Sequence, residues 1–152
     1  MITARRVERG LTLLEVLAVL VILSMITTIA VTTTAKQIRL ARVRTAADQL
    51  VINLRKARLS AVTHRSSVNV TVQADPANTY VLGDAREPDR LVQMPQGVRI
   101  ASSTASITFN PNGSVASSAT TVLEAELPGS KIERWTVSTS VLGISKAVRE
   151  RI

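Results

Sequence analysis

Residues 10–35 read GLTLLEVLAVLVILSMITTIAVTTTA. From Leu11 to Ala35 the only charge is Glu15, and there is no Pro or Gly. At about 1.5 Å of rise per residue, a helix of this length crosses a hydrocarbon core of about 30 Å. Inside a bilayer every backbone group must be satisfied within the segment. The run is therefore expected to be a helix, despite its many β-branched residues.

Upstream stands MITARRVERG, with Arg5, Arg6 and Arg9 ahead of Gly10. A secretory signal peptide carries its small-residue cleavage site after the apolar segment. Here the Gly comes before it, so a cut at Gly10 removes a charged leader, residues 1–10, and keeps the helix. Glu15 is the anomaly. A carboxylate in an apolar helix costs about 2.5–3.5 kcal/mol at the bilayer centre and less near an interface. Either it has a partner or a function, or it snorkels to the headgroups.

Gly10-Leu11-Thr12-Leu13-Leu14-Glu15 followed by an apolar run resembles the class III signal of type IV pilins and type II secretion pseudopilins. The chain departs from the pattern at Leu11, where Phe is commonest, though the family tolerates other apolar residues there. The resemblance implies that a prepilin peptidase cuts between Gly10 and Leu11 and methylates the new amine of Leu11. Glu15 would then stand fifth in the mature chain. The freed amine is largely a cation at neutral pH. Glu15 would neutralise the amine of a neighbouring subunit during assembly.

Composition excludes several chemistries. There is no Cys, hence no disulfide, thiolate metal site or catalytic thiol. A single His64 rules out a multi-histidine metal centre, and beside Arg65 it reads as a surface residue near a helix C-terminus rather than part of a triad. Asp84, Glu87 and Asp89 lie close together, but Arg86 and Arg90 interleave with them and EF-hand spacing is missing. The loop reads as solvated, and no metal, cofactor or catalytic residue is expected. The chain is not expected to be an enzyme.

The net charge of +8 is unevenly placed. Residues 36–65 hold eight basic side chains (among them Lys36, Arg39, Arg42, Arg44, Arg55 and Lys56) against one acid, Asp48. Residues 66–152 hold eight of each sign. The basic helix has three readings. Its charges pair with acids on neighbouring filament subunits, bind anionic headgroups at about 1 kcal/mol per charge, or bind nucleic-acid phosphates. Lys146, Arg149 and Arg151 form a second anion or DNA candidate, diluted by Glu150.

From Lys36 to His64 the pattern becomes amphipathic. Leu40, Val43, Ala47, Leu50, Leu54, Ala57 and Ala61 recur at spacings of three and four, which is one apolar stripe of a helix. The spacing also fits a coiled coil, but the strands that follow need a cover. The expected domains are a leader (1–10), a transmembrane or filament-core helix (11–35), its amphipathic continuation (36–65) and a β domain (66–152).

After Ser66 the period becomes two. Strands are expected at Val68–Val72, Thr79–Leu82, Leu91–Met94, Val98–Ala101, Ser106–Phe109, Ser114–Ser118, Thr121–Leu127, Ile132–Ser138 and Val141–Ile144. Turns fall at 75–78 and at Asn110-Pro111-Asn112-Gly113. The charged tail SKAVRERI is expected to fray. The fold class is α+β: a long N-terminal helix packed on a C-terminal antiparallel sheet or small sandwich, as in pilins.

The long helix, the stretch Arg42–Ser67 and the segments ITFNPNGSV (107–115) and WTVS…LG (135–143) together carry a further resemblance, to the GspH/FimT group of minor pseudopilins and minor type IV pilins. Two departures stand out. The Gly-Arg-x-Arg-like ending of that group is replaced by Gly143-Ile144-Ser145-Lys146, and the paired cysteines of some minor pilins are absent. The resemblance implies a minor pseudopilin of a type II secretion system, a structural subunit of a periplasmic filament. The alternative is a minor type IV pilin for pilus assembly or DNA uptake. Implied partners are the prepilin peptidase, other pilin or pseudopilin subunits, the membrane and a secreted cargo, with nucleic acid the less favoured. Basic residues flank the apolar run on both sides, so the positive-inside rule is nearly balanced. The short leader and the family favour a single-pass inner-membrane protein with a periplasmic C-terminal domain.

Overall fold

A computed structural model describes residues 12–83, 88–127, 129 and 131–150, with the backbone alone over 28–35. The leader, the expected cleavage and methylation positions Gly10 and Leu11, and Arg151 lie outside these residues. So do Asp84, Arg86 and Glu87. The chain divides into two compact units, Met1–Ala35 and Lys36–Ile152.

The helix α1 (Leu13–His64) begins in the first unit. Thr12 is its N-cap: the Glu15 amide donates to the Thr12 hydroxyl at 3.3 Å and the Val16 amide to the Thr12 carbonyl at 3.2 Å. Leu13, Leu17, Leu20, Leu23 and Ile26 are all more than half exposed. Hydroxyls in this run turn onto the backbone, Ser24 donating to the Val21 carbonyl and Thr27 to that of Leu23. Among the described residues no helix is long and apolar enough to cross a membrane.

In the second unit the stripe on α1 forms the centre of the core. Val43, Ala47, Leu50, Leu54, Ala57 and Ala61 are buried as the spacing indicates, with Leu40 half-buried, and Ala46 and Val51 widen the stripe. The helix ends without Gly. Arg65 takes a left-handed φ of 51°, and the Ser66 amide donates to the Ala61 carbonyl at 3.2 Å.

Eight strands follow: β1 (Val68–Gln73), β2 (Thr79–Leu82), β3 (Arg90–Gln93), β4 (Val98–Ser103), β5 (Ser106–Phe109), β6 (Ala119–Leu127), β7 (Lys131–Thr139) and β8 (Ser145–Glu150). They form two antiparallel four-stranded sheets, ordered β3-β2-β1-β5 and β4-β6-β7-β8. Val68, Val70, Ile107 and Phe109 of the first sheet and Ile100, Leu123 and Val137 of the second share one core with the helix. The α+β class and the packing of the helix on antiparallel strands match the sequence reading. Inside this core the Asn53 side-chain amide donates to the Tyr80 hydroxyl at 2.7 Å, so two buried polar groups satisfy each other.

Three strand expectations change. Ser114–Ser118 makes one isolated bridge, Val115 to Phe109, and no strand. The Ser114 amide and hydroxyl turn onto Asn112, and the Val115 amide donates to the Val141 carbonyl at 2.9 Å. Val141–Ile144 is a turn: Gly143 has φ 73°, and its amide donates to the Ser140 carbonyl at 2.8 Å. Over Ser145–Glu150 the charged tail, in turn, is the strand β8, each residue paired with one on β7.

Candidate assembly site

Glu15 is the sequence's leading site residue and sits in the first turn of α1, exposed. It is the third residue after the Thr12 cap. Its own amide is one of the amides the cap satisfies, and its carboxylate lies at the positive end of the helix dipole. The Thr-x-x-Glu spacing before an apolar run is a capping signature readable from the sequence, and it gives Glu15 a local role within its own helix.

The basic residues of the helix divide into two sets. Arg39 donates to the Glu126 carbonyl at 2.9 Å, Arg42 to the Gln96 carbonyl at 3.5 Å and Arg58 to the Gly113 carbonyl at 3.0 Å, while Arg44 lies 3.9 Å from Asp48. Lys36, Arg55, Lys56 and Arg65 have no hydrogen-bond or ion-pair partner among the described residues.

The tail candidates do not share a face. Lys146 and Arg149 are three residues apart on β8, so their side chains leave opposite faces of the sheet. Arg149 forms a two-pronged ion pair with Glu133, one prong at 3.0 Å between Arg149 Nη2 and Glu133 Oε2. Lys146 is exposed on the other face.

On that outer face the register builds a feature that no local spacing reveals. Arg99, Glu124, Arg134 and Glu150 are successive cross-strand partners on β4, β6, β7 and β8. Arg99 Nη2 lies 3.0 Å from Glu124 Oε2, and Arg134 Nη2 lies 2.7 Å from Glu124 Oε1. Arg134 Nη1 is 3.9 Å from Glu150, which also accepts from Thr136 at 2.8 Å. Burial pushes Glu124 up, but hydrogen bonds from Arg134 and Arg99, reinforced by their charges, outweigh it. Its carboxyl is held below the usual glutamate range.

The two signature segments of the C-terminal unit meet at one point. Arg58 reaches from α1 to the Gly113 carbonyl, and the backbone of Gly143 lies against both. A Cβ on Gly143 would fall 2.1 Å from the Gly113 carbonyl oxygen and 2.9 Å from Arg58 Nε. The Asn-Pro-Asn-Gly turn and the Leu-Gly hairpin are thus one joint, clasped by a helix arginine.

This is the fold of a minor pilin: a capped N-terminal helix whose buried stripe carries two antiparallel sheets. The chain belongs to the GspH family, whose model, described as type II transport protein GspH, matches residues 46–143. The prokaryotic N-terminal methylation motif matches residues 5–31. Among solved structures the chain is similar to the type IV minor pilin FimU of Pseudomonas aeruginosa strain PAO1, in two crystal forms. One matches at 18% identity with a TM-score of 0.53, covering 72% of this chain and 88% of FimU. The other matches at 18% identity with a TM-score of 0.51, covering 71% and 92%. No curated protein sequence matches the chain.

Proposed function

We propose that the chain is a minor pseudopilin of a type II secretion system, made as a precursor and built into a short periplasmic filament that serves protein secretion. The observation that carries this is the match of the type II transport protein GspH family over residues 46–143, joined to a methylation motif over 5–31. In this reading a prepilin peptidase cuts after Gly10 and methylates Leu11. Residues 11–35 anchor the chain in the inner membrane and then pack in the filament. The continuation 36–65 carries the β domain (66–152) on the periplasmic side. Glu15 pairs with the Leu11 amine of a neighbouring subunit, and the β domain contacts other minor subunits or cargo.

Intact mass and N-terminal sequence of the protein recovered from membranes test the processing step. A chain beginning at methylated Leu11 supports it. A chain beginning at Met1 in cells with an active prepilin peptidase overturns it.

Similarity of fold to a type IV minor pilin favours a second reading, a pilus-assembly subunit. Deletion separates the two: loss of secreted protein with intact surface pili supports the secretion role, and the reverse supports the pilus role. DNA capture through Lys146, Arg149 and Arg151 is the least supported form, since Arg149 is engaged by Glu133 and Lys146 faces the other way.

A further inference from the structure

The second unit opens at Lys36, the first residue after the apolar run, and β7 opens at Lys131. The two lysines are far apart in the sequence, yet both line one cleft of about 610 Å³. The β6–β7 connection brings them together. Leu127 and Lys131 are cross-strand partners, and Arg39, one turn beyond Lys36, donates to the Glu126 carbonyl at 2.9 Å. That bond holds the end of the hairpin against the helix.

Both lysines are exposed, and neither has a hydrogen-bond or ion-pair partner among the described residues. The one acid in the lining is Glu133, whose carboxylate is taken up by Arg149. Arg134, also in the lining, is held by Glu124 and Glu150. The charge left uncancelled is that of the two ammonium groups. Beside them the wall is apolar, with Leu40 half-buried, Leu127 buried and Ile132 42% exposed.

Two free ammonium groups next to an apolar wall fit an acidic group joined to hydrocarbon. We propose that the cleft holds the phosphate headgroup of an anionic phospholipid, with Lys36 and Lys131 on the phosphate and Leu40 and Ile132 against the start of the acyl chains. Lysine serves phosphate as a compact point charge and needs no fixed fork geometry. The proposal rests on the reading of residues 11–35 as a membrane segment, since Lys36 directly follows that run and then stands at headgroup depth. A lipid held there ties β7 to the bilayer surface through Lys131, a contact that charge flanking a membrane helix does not provide.

The full-length chain is equilibrated in dodecylmaltoside micelles holding equal phosphatidylglycerol and phosphatidylcholine, repurified, and the lipid retained per chain measured by mass spectrometry. Phosphatidylglycerol in excess over phosphatidylcholine is expected. Lys36→Gln and Lys131→Gln should each lower that excess about fivefold, the worth of one cation at an anionic surface. Lys146→Gln, outside the cleft lining, should leave it unchanged. No excess in the unaltered chain overturns the proposal. So does loss with Lys36→Gln but not with Lys131→Gln, which reduces the effect to charge beside a membrane helix. Displacement of phosphatidylglycerol by an equal concentration of inorganic phosphate overturns it as well, because the cleft is then a free-anion site. Recovery of the chain in the membrane fraction tests the anchor separately, so a failed anchor and a failed cleft are told apart.

Discussion

Gly143 and Gly113 approach so closely that a single methyl group on Gly143 would sit 2.1 Å from the Gly113 carbonyl oxygen. Gly143 also holds a φ of 73°, which L side chains rarely adopt. Gly143→Ala therefore carries about 1–3 kcal/mol of backbone strain and must also break the Arg58 clasp. We expect it to lower the melting temperature of the C-terminal unit by many degrees. Gly97→Ala is the control, because a Cβ there meets nothing within 4 Å and only its φ of 82° opposes the change.

Glu124 ties the second sheet to acid. Because its folded pKa is depressed, its contribution is complete above the unfolded value of about 4.5 and is lost as pH falls through the lower folded one. Glu124→Gln should flatten that part of the stability–pH curve measured by denaturant unfolding. At neutral pH it should cost about 1–3 kcal/mol, since two arginines then face a neutral amide.

Tyr80 is the only tyrosine, so its titration can be followed by tyrosinate absorbance alone. Burial raises its pKa above 10.0, more than the hydrogen bond from Asn53 and the charge of Arg90 lower it. Its contribution to stability is complete below that value and is lost as pH rises through the folded one. Tyr80→Phe should abolish the transition and leave the buried Asn53 amide without its acceptor, at about 1–3 kcal/mol.

Glu15→Ala should leave membrane insertion intact and impair incorporation into filaments, measured by co-purification with other subunits. Wild-type incorporation by the variant would remove the pairing role and leave only the cap. Thr12→Ala separates the two contributions. It keeps the carboxylate but deletes the hydroxyl that accepts from the Glu15 amide, and should cost about 1 kcal/mol of local helix stability with incorporation retained.

The parts of the fold that were legible in the sequence are those with local periodicity. The stripe from Val43 to Ala61 and the strand Ser106–Phe109 follow from spacing alone. The strand β8 was not legible. Its Lys146, Arg149 and Glu150 resemble a solvated tail until register brings Glu133 and Arg134 of β7 beside them. The Arg99–Glu124–Arg134–Glu150 ladder joins residues on four strands that lie up to 25 positions apart from one to the next, so no short window of sequence contains it. Val141–Ile144 is apolar enough for a strand, but Gly143 bends it into a turn. At the candidate site, Glu15 and its Thr12 cap are readable from a four-residue spacing, whereas the opposite faces of Lys146 and Arg149 appear only once β8 is a strand.

The charges on β8 carry a consequence for crowding. It is the outermost strand of its sheet, and a free strand edge is a template on which another chain can pair and aggregate. Arg149, a charge on the side of the sheet that faces the core, and Lys146 and Glu150 on the other side make that edge a poor template. Copies of the chain brought close together are then kept from fusing through this edge of the sheet.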